Sequence, residues 1–363
     1  MLRESARAML ALMLTDGVTP SDCRSLELGP GEVLEMLECP SGRDRLSGIL
    51  GHAVGPVEWL AVDRQLQAME RCGAGALCWW DDDYPELFRD VAQAPTIIFY
   101  KGDASLLRRQ GIALVGTRRP SPGGVAKARE LARELARNGV CVTSGLARGI
   151  DTSAHVGALD GNTGGVAVLG TGIDVPYPPE NVELLMRMMR EGCVVSEQLM
   201  GMHASPSVFP RRNRLISALS YAVVVVEGGV RSGALITAKW ALEQGRDVGA
   251  VPGFPGDFRS AGPNQLIRQG AFLVEGPGDI YAAVPQLKTT APSAELFDDA
   301  SDSNGAEGRA IDRVHGALTR TPADADAIAR STGVSIESVQ ELLVRLEIAG
   351  KARRDDGGRY IKE

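Results

Sequence analysis

The chain has 363 residues, 44% of them hydrophobic and 23% charged, enough for two or three domains with a sizeable core. Its 39 Lys and Arg against 46 Asp and Glu give a formal net charge of −7, which excludes a histone-like or polybasic protein and leaves any anion binding to a local patch. Six Cys without a C-x-x-C pair and four scattered His suggest neither a zinc site nor a disulfide framework, so no metal is expected and the reducing cytosol is the default compartment.

The apolar start, Ala8 to Leu14, follows Arg3 and Arg7 but has Glu4 in the would-be basic region and no small-x-small cleavage site. Leu2, Ala6, Met9, Leu10 and Met13 recur at helical spacing, so it reads as an amphipathic first helix rather than a leader. No apolar run approaches the roughly 18 residues of a spanning helix, and no membrane span is expected. Residues 1–80 read as a domain of short helices punctuated at Gly29-Pro-Gly31, Ser41-Gly42 and Gly55-Pro56. Asp81 to Pro85 and Pro95 then break the periodic pattern.

From 111 to 285 short β-branched runs alternate with helical ones, the pattern of strand–helix–strand units in a parallel sheet. Seven runs, at 112–115, 140–143, 166–169, 193–195, 222–226, 248–251 and 272–274, are near-continuously apolar, as strands covered on both faces must be. They predict a doubly wound, mostly parallel α/β fold over 81–285, with helices over 122–138, 181–190 and 232–244. Residues 286–308 are acidic and aperiodic and read as a flexible linker. Within 101–285 there are 20 basic and 16 acidic side chains, so an acidic protein encloses a basic centre.

In such a sheet ligands gather where strands end and helices begin. Four of those loops invite an anion: Gly116 to Gly124 with Arg118 and Arg119, Ser144 to Asp151 with Gly145, Arg148 and Gly149, Gly170 to Pro179, and Glu227 to Thr237. The glycines and Ser144 are expected to let main-chain amides face a phosphate while Arg148 adds charge, although tight turns alone would also use glycine. Phe209 followed by Arg211, Arg212 and Arg214 offers charge for a backbone and a ring for a base, the two parts of single-strand recognition. The dinucleotide and triphosphate glycine motifs and a magnesium-type acidic cluster are absent from the sequence, so no cofactor is expected. Asp151 is a candidate helix N-cap. His155, without a Ser or Cys nucleophile beside it, reads as a helix-packing residue rather than a catalytic base.

Val115-Gly-Thr-Arg118, Ser144 to Asp151, Val168 to Asp174 with Tyr177-Pro178, Phe209 to Arg214, Ser232 to Ala238, Val251-Pro-Gly253 and Asn264 to Ala271 together resemble the DNA-processing protein A (DprA/Smf) family over about 95–285. That resemblance implies an extended Rossmann-like domain that binds single-stranded DNA during natural transformation, forms a homodimer and helps load the recombinase RecA, by binding and not catalysis. Carried onto this chain, the DNA contacts are Arg118, Ser144, Gly145, Arg148, Gly149, Phe209, Arg212 and Arg214, with Arg119 and Arg211 as weaker positions. Residues 309–363 resemble the family's C-terminal winged-helix domain: helices over 310–318, 324–331 and 335–349, then a hairpin turning at Gly357-Gly358. Its third helix carries Glu337, Glu341 and Glu347 against Arg345, which would repel phosphates. Protein contact or regulation is therefore its expected role, with a minor contribution from Arg353, Arg354 and Arg359. The competing readings are a Rossmann-like nucleotide phosphoribohydrolase, for which the Pro-Gly-Gly-x-Gly-Thr run is missing, and a scaffold working through the winged helix alone.

Overall fold

All seven apolar runs form strands, and two further strands extend the sheet they build. In the computed structural model, which describes residues 2–287, 313–319, 322–348, 351–355 and 359–362, the strands are β1 (Gly75–Cys78), β2 (Ile97–Gly102), β3 (Gly111–Val115), β4 (Cys141–Ser144), β5 (Val166–Val168), β6 (Cys193–Ser196), β7 (Ala222–Val225), β8 (Asp247–Ala250) and β9 (Phe272–Leu273). Their order is β1-β2-β6-β5-β4-β3-β7-β8-β9. The seven from β3 to β9 run parallel, and β2 joins β6 antiparallel and carries β1 antiparallel in turn. Neither β1 nor β2 was expected. β1 is short, but Ile97 to Tyr100 of β2 is an apolar run like the other seven, overlooked because it directly follows the break at Pro95.

Side chains alternate between the two faces of the sheet, as the period of two requires. Ala113, Val115, Val223 and Val225 enter one apolar cluster with Leu215 and Ala238 of the covering helices. Ile112, Leu114, Ala222 and Val224 enter another with Leu131 and Leu135. Both faces are thus covered, which explains why these strands read as unbroken apolar runs. Two of the covering helices, Pro122–Arg137 and Ile150–Asp160, approach so closely that a methyl group on Gly157 would lie 2.3 Å from the Arg129 carbonyl oxygen.

Before β1, five helices span Leu2–Met13, Pro20–Ser25, Pro30–Glu38, Pro40–Leu50 and Trp59–Cys72. Three of them begin with proline, whose fixed φ and missing N–H suit the first helical position. Ser41-Gly42 therefore opens a helix instead of separating two. The helices bury Met9, Leu10, Leu37 and Leu46 in one core with Phe99 and Val194 of the sheet. A side chain completes the attachment: Gln65 Oε1 accepts from the Met200 amide at 2.8 Å.

The chain divides into two compact units, 1–290 and 291–363. In the second, a helical turn at 313–317 precedes helices Ala325–Thr332 and Ile336–Ile348 and an antiparallel hairpin, β10 (Ala352–Arg354) with β11 (Tyr360–Lys362). Val314, Ile328, Leu343 and Tyr360 share its core, the winged-helix arrangement. Most of the acidic stretch 286–308 and the Gly357-Gly358 turn lie outside the described residues.

Candidate nucleic-acid interface

The loops following β3, β4, β5 and β7 meet at one edge of the sheet, where the parallel strands end. In the first of them Arg118 and Arg119 are exposed. Ser121 caps helix 122–137 by accepting from the Gly124 amide at 3.0 Å. The start of that helix is already held by a carboxylate. Glu227, arriving from the end of β7, accepts from the Ser121 amide at 2.8 Å and from the Ser121 hydroxyl at 2.5 Å.

The β4 loop is also turned inward. Ser144 is fully buried and its hydroxyl donates to the Leu114 carbonyl at 2.7 Å. The Gly145 and Ala147 amides donate to Asp151 Oδ2 at 3.2 and 3.4 Å, and the Leu146 amide donates to His155 Nε2 at 3.3 Å. Gly149, at φ +86°, begins helix 150–160. A methyl group there would lie 2.4 Å from the Thr117 carbonyl oxygen, so only glycine lets the two loops close on each other. The expectation that these amides face a phosphate is therefore corrected. Carboxylates and an imidazole from within the protein take them, and Asp151 does so from the first helical turn and not as the N-cap.

What faces outward is guanidinium and ring. Helix Val208–Ala218 projects Phe209 toward Tyr177 of the β5 loop, their centroids 5.4 Å apart and their planes 34° apart. The Arg118 guanidinium lies 5.7 Å from the Phe209 centroid. Arg148 is exposed and meets Glu180 at 3.2 Å, both side chains more than half exposed, a weak and screened pair. Arg212 is buried: its Nη1 donates to the Gly145 carbonyl at 2.7 Å and to the Val168 carbonyl. Burial lowers its pKa to about 10, and Asp151 opposes that shift, so it stays cationic at neutral pH. Arg118, Gly145, Arg148, Tyr177, Phe209 and Arg212 surround a pocket of about 160 Å³. Several of the same residues line an adjoining groove of about 930 Å³ that also touches Arg119, Asn213, Ser232 and Phe258.

Of the residues expected to contact DNA, Arg118, Gly145, Arg148, Phe209 and Arg212 are thus brought together, and Arg119 lines the groove. Ser144 and Gly149 lie beneath, as loop supports. Arg211 is exposed but does not line the pocket or the groove. Arg214 lies deeper: its Nη2 pairs with Glu197 at 2.5 Å with the side chain 10% exposed, and it lines neither the pocket nor the groove. Sequence reasoning missed Tyr177 as a ring of the pocket, although the Tyr177-Pro178 pair stood among the quoted motifs. It also missed Asp151 and Glu227 as the groups that fill the loop amides. Burial raises the pKa of Asp151 to about 6 despite Arg212 and the amides it accepts from, and burial with Arg212 nearby lowers that of His155 to about 3. His155 is a neutral, buried acceptor that holds the loop. Among the described residues no group of three or more His, Cys, Asp and Glu is placed to hold a metal.

Two family models match the chain. One, described as DNA recombination-mediator protein A, covers residues 75–285; the other, described as the DprA winged helix domain, covers 300–358. The chain is 42% identical over 202 residues to the DNA processing protein DprA of Streptococcus pneumoniae, covering 56% of this chain and 71% of that one. It is 35% identical over 303 residues to Protein Smf of Escherichia coli, covering 79% and 80%. The X-ray structure of the Streptococcus pneumoniae protein is similar with a TM-score of 0.60 at 31% identity, over 78% of this chain and 95% of that one. DNA processing protein A of Helicobacter pylori, solved for its single-stranded DNA binding mode, gives a TM-score of 0.54 at 27% identity, over 59% and 96%.

Proposed function

Because this chain belongs to the DNA-processing protein A (DprA/Smf) family of DNA recombination mediators, we propose that its groove binds single-stranded DNA and that its task is binding rather than catalysis. The observation that carries this reading is the gathering of exposed Arg118 and Arg148, above the buried cation of Arg212, around one pocket with the Tyr177 and Phe209 rings at a single strand-end edge. Guanidinium groups attract the phosphates and the rings offer stacking surface to any base, a combination suited to a flexible strand of arbitrary sequence. In favour of binding alone, Asp151 and Glu227, two carboxylates beside the groove, are engaged in holding loops. Family kinship extends the proposal to protection of incoming strands during natural transformation, a homodimeric state and delivery of the strand to RecA in the cytoplasm. No helix among the described residues is long and apolar enough to cross a membrane.

Electrophoretic shift of a fluorescent single strand, challenged with duplex of the same length, tests the reading. The single strand should be retained against the duplex, and Phe209→Ala should weaken it. Failure to shift the strand at low ionic strength, or release of free base from nucleotides, would overturn it.

A further inference from the structure

The groove contains an aromatic ring that the expected DNA contacts leave unused. Phe258, in the loop after β8, is 65% exposed and lines the groove. A phenyl ring is normally withdrawn from water, and this one is held out by a tightly bonded loop. Gly253 exchanges hydrogen bonds with the Asn264 side chain at 3.2 and 2.8 Å, Asp257 Oδ1 accepts from the Arg259 amide at 2.8 Å, and the Arg259 carbonyl accepts from the Gly228 amide at 2.6 Å. The Arg259 guanidinium stands 4.9 Å from the Phe258 centroid. Its Nη1 reaches Asp257 at 3.0 Å and its Nε donates to the Arg119 carbonyl at 3.2 Å, tying the ring to the loop after β3.

We propose that Phe258, backed by Arg259 and flanked by exposed Arg119, is a second stacking platform for the same polynucleotide. This inference rests on the single-strand reading above. The first platform, Phe209 with Tyr177, lies against the loops of β3, β4 and β5, and Phe258 lies against those of β3, β7 and β8. Two to three strand spacings separate them, roughly 10–14 Å, or about three to four nucleotides at the rise of a stacked strand. A strand reaching both platforms must therefore cross the β3 loop, where Arg118 and Arg119 stand exposed to meet its phosphates.

The span makes the platform's contribution depend on strand length. Fluorescence anisotropy of the full chain is to be measured with labelled oligothymidylates of about two nucleotides, too short to bridge the platforms, and of about twelve, within the range of single-strand site sizes. Because Phe258 is exposed and outside the core, Phe258→Ala should fold as the parent does. It is expected to weaken the longer strand by roughly 5- to 100-fold while changing the shorter one less than about twofold, whereas Phe209→Ala should weaken both. If Phe258→Ala leaves the longer strand unchanged, or weakens both lengths alike, the second platform is refuted while the single-strand reading stands. If the parent binds neither oligonucleotide, both fall together.

Discussion

Arg118 stands exposed over the Phe209 ring, whereas Arg212 is buried and holds the carbonyls of Gly145 and Val168. Truncating each should therefore fail in a different way. Arg118→Ala is expected to lower single-strand affinity about tenfold and to flatten the slope of log affinity against log salt by about 0.7, with Tm unchanged. Arg212→Ala strands Asp151 without its cation and leaves two buried carbonyls without this donor. It should cost about 3–5 kcal/mol of stability and move Tm by roughly 10 °C, which calorimetry beside a binding titration would separate from a loss of contact. His155 makes a second residue-level prediction. Its folded pKa lies near 3, below the unfolded value, because burial and Arg212 disfavour the charged ring. The stability it contributes is complete above about pH 6.5 and drains away as pH falls toward 3. Asp151, with its pKa raised, acts in the opposite sense over part of the same range, so the comparison must be made against a variant. Between pH 6.5 and 4.5 the parent should lose about 2–3 kcal/mol more than His155→Gln, read from denaturant melts at the two pH values. None of this burial is visible in the sequence. Three arginines at a helix start look like a solvated basic face, and only the fold shows that Arg212 and Arg214 point at strand-end carbonyls and at Glu197.

At the scale of elements, legibility follows burial. The seven central strands announce themselves because both their faces are covered, and helix 122–137 because Ser121 caps it and Gly139 follows it at φ +77°. Strand β2 carries the same signal, with Ile97 and Phe99 buried on one face and Ile98 on the other, and went unread beside Pro95; only β1, four residues long, depends on its neighbour to be recognised. The use of the loop amides was illegible for a related reason. Glu227 holds the N-cap residue of helix 122–137 from 106 positions beyond Ser121, a relation that no local motif contains. The contact between helices 122–137 and 150–160 supplies a test at this scale. With the Gly157 methyl position so near the Arg129 carbonyl, Gly157→Ala must push the two helices apart. It should cost about 1–3 kcal/mol, seen as a lowered Tm, while single-strand affinity of the protein that remains folded stays within about twofold of the parent.

For the molecule as a whole, the charge partition along the chain points to the domain that carries the groove: the basic surplus between 101 and 285 includes the arginines that line it. The winged helix shows the converse. Glu341 of its third helix is exposed and bound to Arg345 at 2.9 Å, Glu347 is half-buried, and the side chain of Glu337 lies outside the described residues. On the hairpin, Arg354 lies over Tyr360 and Arg359 meets Asp355 at 3.2 Å. Removing 305–363 should accordingly change single-strand affinity by less than about tenfold, since surface pairs of this kind offer little to a polyanion; a larger loss in an anisotropy titration would assign the winged helix a direct share in DNA. The internal carboxylates of the groove bear on how such a protein works in a cell. A helix start left open offers a seat to single anions such as orthophosphate or a mononucleotide. With Glu227 seated at the Ser121 amide and Asp151 at those of Gly145 and Ala147, the groove presents scattered cations and flat rings, which reward a ligand only when many weak attachments are made at once. Discrimination between a polymer and its monomers then comes from valency, with no pocket needed to reject the small molecules one by one.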